Sequence, residues 1–92
     1  MSNKPTKILE DGTKIWQNSE GKLHRDNDLP AMIDANGYWV YYQNGKCHRD
    51  NNLPAVIWFD GHCEWWINNR LIKRGDYTQE EIEQFKKPYS GK

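Results

Sequence analysis

Hydrophobic and polar positions repeat along this chain at intervals of 24 or 25 residues. Short apolar runs begin at Pro5, Pro30 and Pro54, and each contains an isoleucine three residues after its proline. A glycine follows seven residues after each proline, and an aromatic residue stands four residues after each glycine. Self-similarity at such a spacing is typical of proteins that stack copies of one structural unit. We therefore divide the chain into repeat 1 (residues 5–29), repeat 2 (residues 30–53) and repeat 3 (residues 54–76).

Each unit has the pattern of a β-hairpin. Its apolar run ends at a dipeptide that favours a tight primed turn, in which both central residues have positive φ. These dipeptides are Asp11-Gly12, Asn36-Gly37 and Asp60-Gly61. The aromatic-rich strands predicted to follow them are Lys14–Gln17, Trp39–Gln43 and Cys63–Ile67. In repeat 2, the Asn-Gly at positions 44 and 45 then starts a third short segment that continues to His48.

Superposed units share columns of equivalent residues, and these columns predict which side chains are buried. One column is aromatic in every unit (Trp16, Tyr41 and Trp65), so we expect it to lie in the core. The next column varies in polarity, so we expect it to face solvent or a partner; it holds Gln17, Tyr42 and Trp66. Strand alternation predicts one face for Trp39, Tyr41 and Gln43, and the other face for Val40 and Tyr42.

The C-terminal segment changes from a strand pattern to a helix pattern. Thr78 and Glu81 have the spacing of a capping box, and Tyr77 and Ile82 that of a hydrophobic staple. Pro88 ends the predicted helix, which covers residues 78–87 and caps the stack. The predicted fold is therefore a single domain over residues 1–92. It is mainly β, an open antiparallel meander of three hairpin units with one short C-terminal helix.

A block with the sequence His-Arg-Asp-Asn-x-Leu-Pro-Ala occurs twice, starting at His24 and at His48. With the aromatic, glycine and isoleucine columns around it, the block resembles the MORN-like hairpin repeats of bacteriophage and giant-virus proteins. The resemblance covers about residues 5–75 and leaves the helix outside. It implies an open sheet of stacked hairpins that serves as a scaffold and contact surface, and it favours a phage-encoded protein that binds a host factor.

Charge and hydropathy exclude several classes of protein. Thirteen basic and thirteen acidic residues give a formal net charge of zero, so nucleic acid is an unlikely ligand. No stretch reaches the roughly 20 apolar residues of a membrane span, and the first residues lack an apolar signal segment. We expect a cytoplasmic protein without membrane association, whose two cysteines stay reduced.

The repeated His-Arg-Asp block has two interpretations. In the structural one, Asp26 and Asp50 cap loop amides, and each arginine pairs with a carboxylate of the neighbouring unit. In the functional one, Arg25 and Arg49 present two parallel guanidinium forks to a phosphate or carboxylate. A kinase-like catalytic loop is excluded because the chain has no nucleotide lobe and no glycine-rich loop.

The cysteines and histidines give little indication of a metal or catalytic site. Cys47-His48 and His62-Cys63 are possible zinc ligands, but no Cys-x-x-Cys spacing occurs. Cys47 shares its column with two leucines, which predicts a small buried hydrophobe, while a disulfide to Cys63 remains conceivable. Nucleophile motifs are absent from the sequence. We therefore predict no catalytic residues, no metal, no cofactor and no enzyme activity.

Four aromatic residues exceed what the repeat requires: Trp39, Tyr42, Trp58 and Trp66. Large apolar residues that the columns do not demand are candidates for partner recognition, and packing against the helix is the alternative. The leading hypothesis is a small non-catalytic inhibitor or modulator that binds a host protein through this aromatic sheet surface. The alternative is a binder of nucleotide-type ligands that uses stacked aromatics with Arg25 and Arg49. Edge strands of an open sheet also allow a homodimer.

Overall fold

The structure, a computed structural model, describes residues 4–89, which form nine strands and one helix. Seven strands make one antiparallel sheet in the order β1-β2-β3-β4-β7-β8-β9, and two make a small second sheet, β5-β6. The predicted fold class is confirmed: the protein is mainly β, its sheet is open, and the helix follows the last strand. The strands are β1 (Lys7–Ile8), β2 (Lys14–Ile15), β3 (Met32–Ile33), β4 (Trp39–Val40), β5 (Tyr42–Gln43), β6 (Lys46–Cys47), β7 (Val56–Ile57), β8 (His62–Ile67) and β9 (Arg70–Asp76).

The turns between strands fall into two types. Asn44-Gly45 and Asn68-Asn69 have positive φ at both residues, as a type I′ turn requires. At the predicted Asp-Gly turns only the glycine has positive φ; for Gly12 it is 95°. There the Gly12 N–H donates to the Leu9 carbonyl at 2.9 Å. The prediction of primed turns at these dipeptides is therefore wrong: they are three-residue loops that end in a left-handed glycine.

In repeats 1 and 2 the second strand stops where the aromatic column begins, whereas β8 of repeat 3 continues through that column to Ile67. In repeat 2, β4 ends at Val40 and β5 begins at Tyr42, and both Val40 and Tyr41 are buried. Tyr41 still bonds on both sides, since its N–H donates to Ala55 and its carbonyl accepts from His48. The chain leaves the main sheet here to enter the small hairpin β5-β6. The prediction of one continuous strand over Trp39–Gln43 is therefore wrong.

The helix α1 (Gln79–Phe85) begins as predicted and ends earlier. The Thr78 hydroxyl accepts from the Glu81 N–H at 3.1 Å, and the Glu81 carboxylate accepts from the Thr78 N–H at 2.9 Å. This reciprocal pair is the predicted capping box. At the other end the Lys86 N–H still donates to Ile82, but Lys86 itself is the C-cap, so the predicted end at residue 87 is too late.

The core follows the columns of the repeat. Trp16, Tyr41 and Trp65 are all buried, which confirms the prediction for the aromatic column. Cys47 is buried as well, as its leucine column predicted. Ile57 and Ile82 are among the largest fully buried side chains, which places the core between the sheet and α1.

Candidate functional site

The main sheet has two faces that differ in what covers them. Cross-strand partners share a face, and successive residues of a strand alternate between faces. The helix face, which packs against α1, contains the paired series Ile33, Trp39, Ile57, Cys63 and Gly75. The open face, on the other side, contains the paired series Met32, Val40, Val56, Glu64 and Arg74.

The C-terminal segment closes the helix face with aromatic contacts. The Trp65 ring lies 5.4 Å from the ring of Tyr77 and 5.6 Å from that of Phe85. The Lys86 ammonium lies 5.0 Å from the centre of the Trp39 ring. Trp39, predicted to contact a partner, thus lies on the helix face, apart from the other three predicted aromatics. Packing against the helix, which was the alternative interpretation, describes its position.

A cation covers each ring of the aromatic column on this face. Arg25 lies 3.8 Å above Trp16, and Arg49 lies 4.0 Å above Tyr41. In repeat 3 the Lys73 ammonium lies 4.5 Å from the centre of Trp65. The sequence reasoning missed Lys73, although its spacing from Pro54 is the same as that of Arg49 from Pro30. Repeat 3 lacks the His-Arg-Asp block, but Lys73 makes the cation–π contact that the arginines make in repeats 1 and 2.

Arg49 is a structural residue that joins three parts of the chain. Its Nε and Nη2 donate to the two carboxylate oxygens of Asp28 at 2.7 and 2.9 Å. Nη1 donates to the carbonyls of Pro54 at 3.1 Å and Phe85 at 2.7 Å, and Nη2 also donates to Lys87 at 3.2 Å. A guanidinium has five N–H groups, so Arg49 has none left for a ligand. It pairs with a carboxylate of the preceding unit, as the structural interpretation predicted.

Both histidines of the repeated block connect neighbouring units. His24 Nδ1 accepts from the Asn44 N–H, and His48 Nδ1 accepts from the Asn68 N–H, each at 3.0 Å. Because Nδ1 accepts, the proton of the neutral ring lies on Nε2, where it faces a carboxylate. That carboxylate is Asp26 at 2.9 Å for His24, and Asp50 at 2.7 Å for His48. We predicted that these aspartates cap loop amides; the bonds found orient the histidines instead.

A cavity of about 270 Å³ opens between the two His-Arg-Asp corners. The residues that line it include Tyr41 and three acidic residues, Asp26, Asp28 and Asp50. The Tyr41 hydroxyl is buried without a hydrogen-bond partner, and burial raises its pKa to about 12. Three carboxylates beside one fully paired arginine repel an anion, so the cavity does not suit a phosphate.

The open face carries a row of rings at the ends of three neighbouring strands, β4, β7 and β8. Trp58 lies 4.2 Å from the Tyr38 ring and 6.3 Å from the His62 ring. Trp58 is 37 % exposed, whereas every ring of the aromatic column is buried. Tyr38 was not among the predicted site residues, and only its position next to Trp39 in an alternating strand indicated this face. Trp58 is therefore the ring of this row that is open to solvent.

Glu64 connects this row to Trp66. Its carboxylate accepts from His62 Nε2 at 3.0 Å and from Trp66 Nε1 at 2.8 Å. Burial by itself would raise the pKa of Glu64, but these two hydrogen bonds outweigh it and leave the pKa lowered. The same bond to Glu64, opposed by desolvation and helped by Asp76, raises the pKa of His62. The two side chains thus satisfy each other's hydrogen bonds within the protein.

Tyr42 completes the cluster, which we call the aromatic patch. Burial raises the pKa of Tyr38, and the neighbouring groups of Tyr42 and Glu64 add to that rise. The half-buried Tyr42 and Trp66 both pack against the core cluster. The aromatic patch consists of Tyr38, Tyr42, Trp58, His62, Glu64 and Trp66. Three of the four predicted partner-binding residues thus lie together, and Arg25 and Arg49 lie over rings of the opposite face.

The cysteines are separate buried thiols. Cys47 and Cys63 are both unpaired, and burial raises their pKa values to about 12 and about 11. Thiols in this state are poor nucleophiles and poor metal ligands. Within residues 4–89, no group of three or more histidine, cysteine or acidic side chains is placed to hold a metal ion.

Comparison with known proteins adds no relative: no family model, no curated protein and no solved structure matches the chain. The similarity to MORN-like repeats of viral origin therefore stays a prediction from the residues. Among the described residues, no helix is both long and apolar enough to cross a membrane. The functional proposals below rest on the geometry of the two faces.

Proposed function

We propose that this chain is a non-catalytic protein-binding module whose aromatic patch docks on one folded partner. The observation that carries the proposal is the exposure of Trp58 on a face that α1 does not cover. Trp58 replaces Asp34 and Leu9 in its column, so the repeat does not require an aromatic ring there. Large rings that are exposed at the centre of a surface are the usual anchors of protein interfaces.

The patch also indicates the chemistry of the partner surface. Its carboxylate and imidazole groups, Glu64 and His62, already bond to each other, and Trp66 bonds to the other carboxylate oxygen. A charged partner group would have to displace these bonds, whereas an apolar group would add contacts to Trp58 and to Leu71, which is 40 % exposed. We therefore expect an apolar and uncharged centre on the partner, with polar contacts at the rim.

The nature of the partner comes from the resemblance to viral hairpin repeats. That resemblance favours a phage-encoded inhibitor or modulator and a host protein in the cytoplasm as its target. A homodimer through the free edge of β9 is less favoured. This edge carries Arg70, Lys73 and Arg74 and a bulge next to Trp66, features that protect edge strands from pairing.

Binding is favoured over catalysis because the titratable groups of the repeated block have structural partners. His24 and His48 each bond to a backbone N–H and to a carboxylate. Neither ring has a free nitrogen with which to act as a general base. The nucleotide-binding alternative needs aromatics and arginines in one site, and the two sets lie on opposite faces.

The proposal is tested by measuring affinity in matched variants. A tagged chain captures candidates from a host lysate, and the dissociation constant of each purified candidate is then measured by calorimetry. We expect Trp58→Ala, and Tyr42→Ala combined with Trp66→Ala, to weaken binding at least about tenfold. Phe59→Ala is the matched control, because Phe59 is 59 % exposed but lies outside the aromatic patch.

The control decides the outcome. If Phe59→Ala weakens binding as much as Trp58→Ala does, the contact lies elsewhere and the proposed surface is wrong. The same conclusion holds if both patch variants keep the affinity of the original chain while their circular dichroism shows that they are folded.

A further inference from the structure

The two arginines of the repeated block occupy equivalent positions but have different hydrogen-bond partners. Arg25 Nη1 donates to the Pro30 carbonyl at 3.1 Å, and Arg49 Nη1 donates to the Pro54 carbonyl at the same distance. Each guanidinium also lies about 4 Å above the aromatic residue of its own unit. The two arginines therefore share one kind of carbonyl partner and one kind of ring contact, and in Arg49 the Nε and Nη2 groups face the preceding unit.

In repeat 2 this position holds a carboxylate. Asp28, two residues before Pro30, bonds to Arg49 through both of its oxygens. The equivalent residue before repeat 3 is Asn52, and its main-chain carbonyl accepts a hydrogen bond of 3.1 Å from Trp65 Nε1. The residue two positions before the proline of repeat 2 or repeat 3 thus accepts hydrogen bonds from the arginine or from the indole N–H of the next unit.

In repeat 1 both donor groups lack such a partner. Arg25 makes a single hydrogen bond to the rest of the described chain, so four of its five N–H groups are available. Trp16 is only 8 % exposed, and its Nε1 has no hydrogen-bond partner. A buried polar group without a partner is rare and costly, which indicates that something else satisfies the Trp16 indole N–H. The residue two positions before Pro5 is Asn3, which is outside the described residues and has no carboxylate.

We infer that Arg25 and Trp16 form a carboxylate-binding site, an unfilled copy of the site that Asp28 occupies at Arg49. Nε and Nη2 of Arg25 hold the two carboxylate oxygens side by side, and the Trp16 indole N–H supplies a further donor. Burial lowers the pKa of the half-exposed Arg25, and among the described residues no carboxylate forms an ion pair with it. This cation therefore has desolvation without a counter-charge, which an incoming carboxylate supplies. The site is independent of the aromatic patch and lies on the other face.

Nuclear magnetic resonance of the ¹⁵N-labelled full chain tests the site directly. The signals to follow are the Nε–H groups of Arg25 and Arg49 and the indole N–H groups of Trp16 and Trp65. Sodium acetate, sodium phosphate and sodium chloride are added at matched ionic strength. We expect acetate to shift the Arg25 and Trp16 signals in a saturable way. The signals of Arg49 and Trp65 stay in place, because their partners are already bound.

The chain supplies a matched pair of peptides that separates a free carboxylate from one carried by a polypeptide. The blocked peptide Asn-Asp-Leu-Pro copies residues 27–30, and Asn-Asn-Leu-Pro copies residues 51–54 without the carboxylate. Saturable shifts with acetate, with the first peptide, or with both support the site and identify the source it accepts. Equal shifts with both peptides, shifts with phosphate alone, or no saturable shift of Arg25 with any probe would overturn the inference.

Arg25→Lys tests whether binding of the probe depends on the planar pair of guanidinium N–H donors or only on the positive charge. Lysine keeps the positive charge but cannot hold two oxygens in a planar pair. We expect the affinity for the bound probe, followed on the Trp16 indole signal, to fall at least about tenfold, as for the loss of a hydrogen bond to a charged group. An unchanged affinity would show that the guanidinium fork does not bind the probe.

Discussion

The two faces of the sheet use aromatic side chains in opposite ways. On the helix face Trp16, Tyr41 and Trp65 occur once in each unit, are at most 8 % exposed, and are each covered by a cation. On the open face Trp58 occurs in one unit only and is 37 % exposed. Residues that every unit shares therefore build the fold, and residues that depart from the columns form the surface proposed to bind a partner.

The largest effect is expected where the helix face is closed. Arg49→Met removes five hydrogen bonds and takes the guanidinium away from the Asp28 carboxylate, which keeps the bond from the Tyr89 N–H. Loss of one member of a buried ion pair costs about 3–5 kcal/mol of unfolding free energy. The matched variant Arg25→Met loses one hydrogen bond and a cation–π contact, which together are worth about 1–2 kcal/mol. Urea unfolding of the two variants measures the difference, and equal losses would contradict the structural role of Arg49.

A smaller effect is expected where neighbouring units meet. His48→Phe leaves the Asn68 N–H without its acceptor, and His24→Phe does the same to Asn44. Each lost bond should cost about 1–2 kcal/mol by urea unfolding. The two losses should be similar because both histidines make the same bonds, in contrast to the two arginines. A large loss in one variant and none in the other would show that the corners are not equivalent.

The smallest effect is a pH dependence that belongs to the open face. The pKa of His62 is raised above its ordinary value of 6.5, chiefly by the hydrogen bond to Glu64. The stability that this pair contributes is therefore fully present below pH 6.5 and is lost as the pH rises through the raised value. The side chains of His62 and Glu64 are 30 % and 20 % exposed, so we expect a loss below about 1 kcal/mol between pH 6 and pH 8.5.

The variant His62→Gln isolates this contribution. Its urea midpoint should vary less with pH over the same range than that of the original chain, because the titrating ring is absent. If the two chains show the same pH dependence, the His62–Glu64 pair does not contribute to it.

Much of the fold was predictable because stacked units repeat their packing. The aromatic column predicted the core, and the spacing of Thr78 and Glu81 predicted the start of α1. The turn types were not predictable from dipeptides alone. Asp-Gly fits both a primed turn and a three-residue loop, and only the bonds across the hairpin distinguish them, as at Gly12.

The site was predicted in part. Tyr42, Trp58 and Trp66 gather on the open face, whereas Trp39 lies under Lys86 because its strand pairs it with the buried Ile57. The difference between Arg25 and Arg49 was also hidden, because the two motifs are identical. Asp28 of the preceding unit and the carbonyls of Phe85 and Lys87 bond to Arg49 and not to Arg25, and a residue's own motif does not reveal such neighbours.

The most direct test of this account measures stability and binding in one variant, Trp58→Ala. Trp58 contacts Tyr38 but is partly exposed, so its loss should lower the unfolding free energy by only about 1–2 kcal/mol. Trp65→Ala, the equivalent change in the buried column, should cost about 3–5 kcal/mol. We predict that Trp58→Ala stays folded and binds the captured partner at least about tenfold more weakly. A loss of stability equal to that of Trp65→Ala, or an unchanged affinity for the partner, would contradict the account.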